Sequence, residues 1–193
     1  MEHGGGKARW DEAISGWRSD FVAAPEQLHR QRSGLLGLVG RRLREGWVGW
    51  DPVRDRWQPV LPVVLVFDNG VQLELAWQGW DELSVTWNTI DLLTPATLVD
   101  RPHEWRPSQP PALAAVAGRV LTGWAATEDP YFPGEADLTG ELPMDEVQGW
   151  ITQGLLMRFA GTDLHIYSGA DTTFISAGYA APARVAHQQL HEA

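Results

Sequence analysis

A mainly β protein of the α+β class is what the sequence predicts, and three observations predict it. The stretch 63–91, VVLVFDNGVQLELAWQGWDELSVTWNTID, alternates apolar and polar residues around two turns. A diverged echo of it recurs between residues 159 and 176. Segments with helical spacing are short and precede the two strand-rich stretches. The expected architecture is two pseudo-repeated units, each a short helix and a β-meander, packed as a sandwich or joined in one continuous sheet, with N-terminal helices added.

In the first meander, Val63, Leu65 and Phe67 run into Asp68-Asn69-Gly70, where the Asn-Gly step tolerates positive φ and closes a tight hairpin. Val71, Leu73, Leu75 and Trp77 then alternate with Gln72, Glu74 and Ala76, the two-residue period of a strand with one buried and one wetter face. After a turn at 78–82, Leu83, Val85 and Trp87 alternate with Ser84, Thr86 and Asn88.

Ahead of the meander, the Gly-rich residues 1–8 read as disordered. Trp10, Ile14, Trp17 and Phe21 recur at the spacing of one helix face, although Gly16 weakens that helix. Pro25 opens a second helical piece through Leu28 and Arg32, in the first turn where its missing N–H costs nothing. Ser33 caps a third, short piece through Leu35, Leu36, Leu38 and Val39, and Gly40 ends it before a strand from Arg41 to Trp50.

The second half repeats these landmarks in order. Pro110 and Pro111 open Ala112–Ala117, which Gly118 ends. Gly40-Arg41-Arg42-Leu43 matches Gly118-Arg119-Val120-Leu121, and Gly46-Trp47 matches Gly123-Trp124 with one residue dropped. Phe67 through Gly70 to Leu73 matches Phe159 through Gly161 to Leu164, and Asp81 before Leu83 and Val85 matches Asp171 before Phe174 and Ile175. An internal duplication accounts for that shared order. The expected organisation is a lead-in and helical segment at 1–32, a first unit at 33–91, a Pro-rich connector at 92–109, a second unit at 110–178 with an insert at 128–146, and a tail at 179–193. The connector carries Leu98, Val99 and Trp105, which need somewhere to bury, so an extended strap is expected there.

Charge separates the halves. The net charge of −10 divides into +2 over residues 1–57 and −12 over residues 58–193. An acidic body repels phosphate backbones, which disfavours nucleic acid except at Arg41, Arg42 and Arg44, and it attracts a basic partner. No apolar run reaches the ~18 residues of a membrane span and none resembles a signal peptide, so a cytoplasmic location without membrane contact is expected. Zero cysteines exclude disulfides, thiolate metal sites and a cysteine nucleophile.

The insert has the most unusual composition. Glu128, Asp129, Glu135, Asp137, Glu141, Asp145 and Glu146 are interleaved with Tyr131, Phe132, Leu138, Leu142 and Met144, without Lys or Arg. The acids do not fall at the alternate positions of a calcium loop. As a functional surface, the insert reads as a docking loop in which Glu128, Asp129, Glu135, Asp137 and Glu141 meet a basic protein around the anchors Tyr131 and Phe132. Its structural reading is a solvated loop.

Catalytic motifs are scarce. Gly4-Gly5-Gly6-Lys7 lacks the Ser or Thr and the strand of a phosphate loop, and no HExxH or GxSxG occurs. His187 and His191 stand four apart without a third ligand, so no metal and no cofactor are expected. The one acid–base candidate is His165, flanked by Asp163, expected near Asp171, and pointing outward because Leu164 and Ile166 bury the other face. Of the eleven tryptophans, Trp47, Trp77, Trp87 and Trp124 fall on inward strand positions, whereas Trp50, Trp57 and Trp80 lie at loop ends where they could stack on a ligand. The leading expectation is a non-enzymatic acidic binding module, an immunity-type inhibitor that covers a basic partner such as a toxin. A small-ligand or carbohydrate-binding β module using the loop tryptophans is the alternative, and an enzyme centred on His165 the third.

Overall fold

The computed structural model describes residues 13–132, 144–178 and 189–192. The protein is mainly β, with two sheets and two helices among the described residues. In chain order the elements are β1 (Val22–Ala23), α1 (Ala24–Gly37), β2 (Leu43–Asp51), β3 (Arg56–Trp57), β4 (Val63–Phe67), β5 (Gln72–Gln78), β6 (Glu82–Trp87), β7 (Ala96–Leu98) and β8 (Arg101–Pro107). The second half holds α2 (Pro111–Val116), β9 (Leu121–Tyr131), a 3-10 turn (Met144–Glu146), β10 (Gly149–Phe159), β11 (Thr162–Ser168), β12 (Thr173–Ala177) and β13 (Gln189–Glu192).

The first sheet runs β1-β6-β5-β4-β2-β8-β7, with β3 paired to β2, and the second runs β12-β11-β10-β9-β13. Every strand pairing is antiparallel. The β4-β5-β6 meander takes the register that alternation predicts, Leu65 opposite Leu73 and Leu75 opposite Val85. Gly70 at φ +82° sits in the first turn, where a side chain would be strained.

The sheets meet where Arg42 bridges Val120. Around that bridge, the Gly40 N–H donates to Leu121 O at 2.8 Å and the Gly118 N–H to Leu43 O at 2.8 Å, while the Leu43 and Leu121 N–H groups donate to Arg119 O and Arg41 O. Below this seam, residues of both sheets and both helices share one hydrophobic cluster that includes Leu35, Leu43, Leu65, Phe67, Leu113, Leu121, Met157 and Phe159. Trp77 and Trp124 are buried in it, and Trp87 packs against it partly buried.

The outer face of the first sheet is covered as well. Ile14, Trp17, Leu61, Val64, Ala76, Ile90, Ala96 and Trp105 form a second cluster, against which Phe21 and Trp47 pack. The face of β5 expected to be wetter is therefore dry, and Glu74 is fully buried in it. The helix expected through Trp10, Ile14, Trp17 and Phe21 is absent over residues 13–21, and Trp10 lies outside the described residues. Gly16 adopts φ +85°, and a Cβ there would stand 2.3 Å from Thr89 O. Trp17 instead donates its Nε1–H to Thr86 Oγ1 at 2.8 Å and meets Phe21 edge-on. The aromatic spacing reflects burial on a sheet, which helical periodicity imitates.

Downstream, one continuous helix, α1, runs through Ser33, where two short pieces are predicted. Residues 92–109 contribute β7 and β8 to the first sheet; Trp105 is buried there, but Val99 is 78% exposed at φ +48°. Within 179–193, residues 189–192 form β13 on the edge of the second sheet. Among the described residues no helix is long and apolar enough to cross a membrane.

Candidate functional site

Strands β9 and β10 pair along their whole length, with irregularities between Thr152 and Gly154 and between Arg158 and Phe159. Among the described residues their neighbours are shorter: β13 covers β9 only at Glu128–Ala125, and β11 covers β10 only from Gly154 to Phe159. The pairs Asp129–Ile151, Pro130–Trp150 and Tyr131–Gly149 therefore extend past both neighbours as a two-stranded arm.

The described part of the acidic insert lies on this arm. Thr152 Oγ1 donates to Glu128 Oε1 at 3.1 Å, so the two side chains share a face. Tyr131 is 49% exposed, Phe132 is partly buried, and Asp145 and Glu146 are exposed on the return. The Gln148 N–H donates to Tyr131 O at 2.9 Å, which fixes where the chain re-enters β10. Glu128, Asp129, Tyr131 and Phe132 are thus consecutive or nearly so at one end of β9. Glu135, Asp137 and Glu141 lie outside the described residues. No Lys or Arg occurs between Arg119 and Arg158, so the two strands of the arm bring carboxylates and no basic side chain of their own.

A second place gathers polar and aromatic groups. A shallow groove of about 510 Å³ is lined by Trp50, Asp55, Arg106, Pro107 and Gln109. Trp50 donates its Nε1–H to Asp55 Oδ1 at 3.1 Å. The Arg106 guanidinium lies 5.0 Å over the Trp50 ring and pairs with Asp55 at 3.4 Å and Glu104 at 3.3 Å. The loop that presents Asp55 is built by Asp51, whose Oδ1 accepts the N–H groups of Val53 and Arg54 while Oδ2 accepts from Arg54 Nη1. The Arg54 backbone N–H is the largest influence on Asp51, and with the Arg54 side chain it holds the carboxyl down at about 2.

The three loop tryptophans do not form one platform. Trp57 pairs across the ladder with Trp50 but packs partly buried against the core, and Trp80 stands 66% exposed on the β5–β6 turn. Only Trp50 lines the groove. Asp55 and Arg106, which complete it, gave no signal in the sequence, because β8 brings Arg106 to Trp50 across a long separation.

His165 lies on the face opposite Leu164 and Ile166, as alternation predicts, yet it is only 5% exposed. Its Nε2 meets Thr127 Oγ1 at 2.9 Å and its ring stacks on Tyr167 at 4.7 Å. Burial pushes its pKa down to about 4. Asp171 is engaged elsewhere, accepting the Gly79 N–H at 2.8 Å. A covered imidazole whose pKa lies so far below 7 is neutral and only weakly basic at pH 7. Asp163 stands opposite Arg158 in the β10–β11 ladder.

A further residue whose role sequence reasoning missed is Glu74. Its Oε1 accepts from Gln72 Nε2 and from the N–H groups of Thr89 and Ile90, and its Oε2 accepts from the hydroxyls of Thr86 and Thr89. A buried carboxylate so supplied is a structural hub. No group of three or more His, Cys, Asp or Glu suited to a metal occurs among the described residues, and His187 lies outside them. Comparison with known proteins finds no family model that matches the chain, and no curated protein or solved structure that matches it.

Proposed function

We propose that the chain is a non-enzymatic acidic binding module whose β9–β10 arm docks a basic protein, as an immunity-type inhibitor docks a toxin. The observation that carries this reading is the extension of Asp129–Tyr131 and Gly149–Ile151 past the described parts of both neighbouring strands, with carboxylates and a half-exposed tyrosine on it. Negative charge speeds the encounter with a basic surface, and an aromatic ring supplies the contact that resists dissociation. A cytoplasmic setting belongs to the same proposal. Its test is capture of a partner from the native host on immobilised protein; a basic protein released by Tyr131→Ala supports the reading, and a partner indifferent to every arm substitution refutes it.

A small-ligand or carbohydrate site is the second reading, favoured by the groove at Trp50, where Arg106 and Gln109 offer donors and Asp55 an acceptor. Titration with neutral sugars, followed by NMR, tests it: shifts at Trp50 that Asp55→Asn abolishes are expected.

We also propose that the units 33–91 and 110–178 are diverged copies of one another, with β8 and β13 continuing the likeness beyond those bounds. Phe67 stands opposite Leu43 as Phe159 stands opposite Leu121, and each ladder has the same irregularity one residue later. Strand β8 on β2 and β13 on β9 share a register, Trp47–Pro107 and Val48–Arg106 against Ala125–Glu192 and Ala126–His191. In this alignment Asp51-Pro52 matches Asp129-Pro130, and Gly46 matches Trp124, which replaces the Gly-Trp landmark of the sequence comparison. Equivalent roles predict that Phe67→Ala and Phe159→Ala each cost about 3–5 kcal/mol in urea unfolding, and a difference of several kcal/mol between them counts against the duplication.

A further inference from the structure

The end of β9 away from the acidic arm carries the opposite charge. Arg41, Arg42 and Arg44 enter β2 beside Arg119, because Arg42 bridges Val120 and the Leu43 N–H donates to Arg119 O at 2.9 Å. All four arginines are exposed. Among the described residues the ion pairs fall on Arg30, Arg54 and Arg106, and none of them neutralises these four. Asp68, whose N–H donates to Arg42 O, is exposed and pairs with none of them.

Two of the guanidinium groups are nevertheless held in place. Arg42 Nη1 donates to Gly118 O, and Arg119 donates from Nε to Ala115 O at 2.8 Å and from Nη1 to Ala160 O at 2.7 Å. Neutral carbonyls fix the forks without cancelling their charge, which leaves their remaining N–H groups available to a ligand.

We propose that this seam binds a tetrahedral oxyanion of the phosphate class, either inorganic phosphate or a phosphomonoester. Planar guanidinium forks match such an anion two bonds at a time. The charge of the rest of the chain sets the size of the ligand. With four arginines removed from a total of −10, the remainder carries −14, which repels an extended polyanion. A small anion within roughly 8 Å of the seam feels mainly the arginines, because salt screens the remainder beyond that distance. The site stands apart from the arm, at the other end of an eleven-residue strand, and its fate is independent of the docking reading.

The test is an NMR titration of the full chain with inorganic phosphate at constant ionic strength, with sodium chloride as control and glycerol 2-phosphate in parallel. Saturable shifts confined to residues 40–44 and 118–121 are expected. Equal affinity for both probes makes the anion the whole determinant, and tighter binding of the ester identifies a phosphomonoester as the ligand. Arg42→Gln with Arg119→Gln should weaken binding by about tenfold or more. Because those two side chains also hold backbone carbonyls, Arg41→Gln with Arg44→Gln serves as the second variant; it should weaken binding several-fold and leave the melting temperature unchanged. Shifts that chloride reproduces, saturation elsewhere, or undiminished binding in both variants overturn the proposal. So does association of copies at low salt without a saturable phosphate response, which would mean that the arginines collect the acidic arm of a second copy.

Discussion

His165 Nε2 lies 2.9 Å from Thr127 Oγ1 although β10 runs between their strands, because Gly154 carries no side chain to separate them. A Cβ at Gly154 would stand 2.3 Å from Thr127 Oγ1 and 2.4 Å from His165 Nε2. Gly154→Ala should therefore destabilise the fold by about 1–3 kcal/mol, the usual cost of forcing extra volume into a packed site. Urea unfolding checks it.

The burial of His165 also sets a pH dependence. The pKa of His165 is pushed from 6.5 to about 4 by burial, so between those values the unfolded chain takes up a proton that the folded chain refuses. Its contribution to stability is complete above pH 6.5 and is lost as the pH falls through 4, by about 3 kcal/mol in all. Unfolding free energies at pH 7, 5.5 and 4.5 should fall less steeply in His165→Gln than in wild type. Parallel pH profiles would remove the imidazole from the account.

Glu74 predicts a second kind of loss. Its carboxylate accepts five hydrogen bonds, tying Thr86, Thr89 and Ile90 to β5. An amide there turns one end into a donor facing donors, so Glu74→Gln should cost about 2–4 kcal/mol. A double-mutant cycle with Thr89→Val should show strong coupling, and additive costs would contradict the hub.

Two buried tryptophans should respond oppositely to the same truncation. Trp17 Nε1–H donates to Thr86 at 2.8 Å, whereas the Trp124 Nε1–H is buried without a partner. Trp124→Phe removes an unsatisfied donor, whose burial costs about 1–3 kcal/mol, and should leave stability within about 1 kcal/mol of wild type or raise it. Trp17→Phe should cost more. Thermal melts of the two variants decide the matter, and equal losses would mean that the Trp124 N–H is satisfied in solution.

The arm separates charge from contact. Glu128→Gln with Asp129→Asn should slow association with a basic partner and flatten its salt dependence, whereas Tyr131→Ala should speed dissociation at a cost of about 2 kcal/mol or more. Surface-immobilised kinetics distinguish the two. A loop that is only solvated would leave both rates unchanged.

Strand period and turn chemistry are local properties, and through them the sequence by itself determined the meander from Val63 to Trp87, the Gly70 turn, the burial of Phe67 and Phe159, and the face on which His165 lies. Tertiary structure alone decided what covers each face. Alternation shows that Glu74 and His165 point away from the shared core, but only a second hydrophobic cluster over the first sheet buries Glu74, and only Gly154 lets His165 sit against Thr127. Residues 13–21 imitate a helix because a segment crossing a sheet can bury every third or fourth residue, and only the Thr89 carbonyl beside Gly16 shows that no helix is there. The groove at Trp50 and the arginine seam at Arg42 and Arg119 depend on strands distant in the chain lying side by side, a contact that no local pattern encodes.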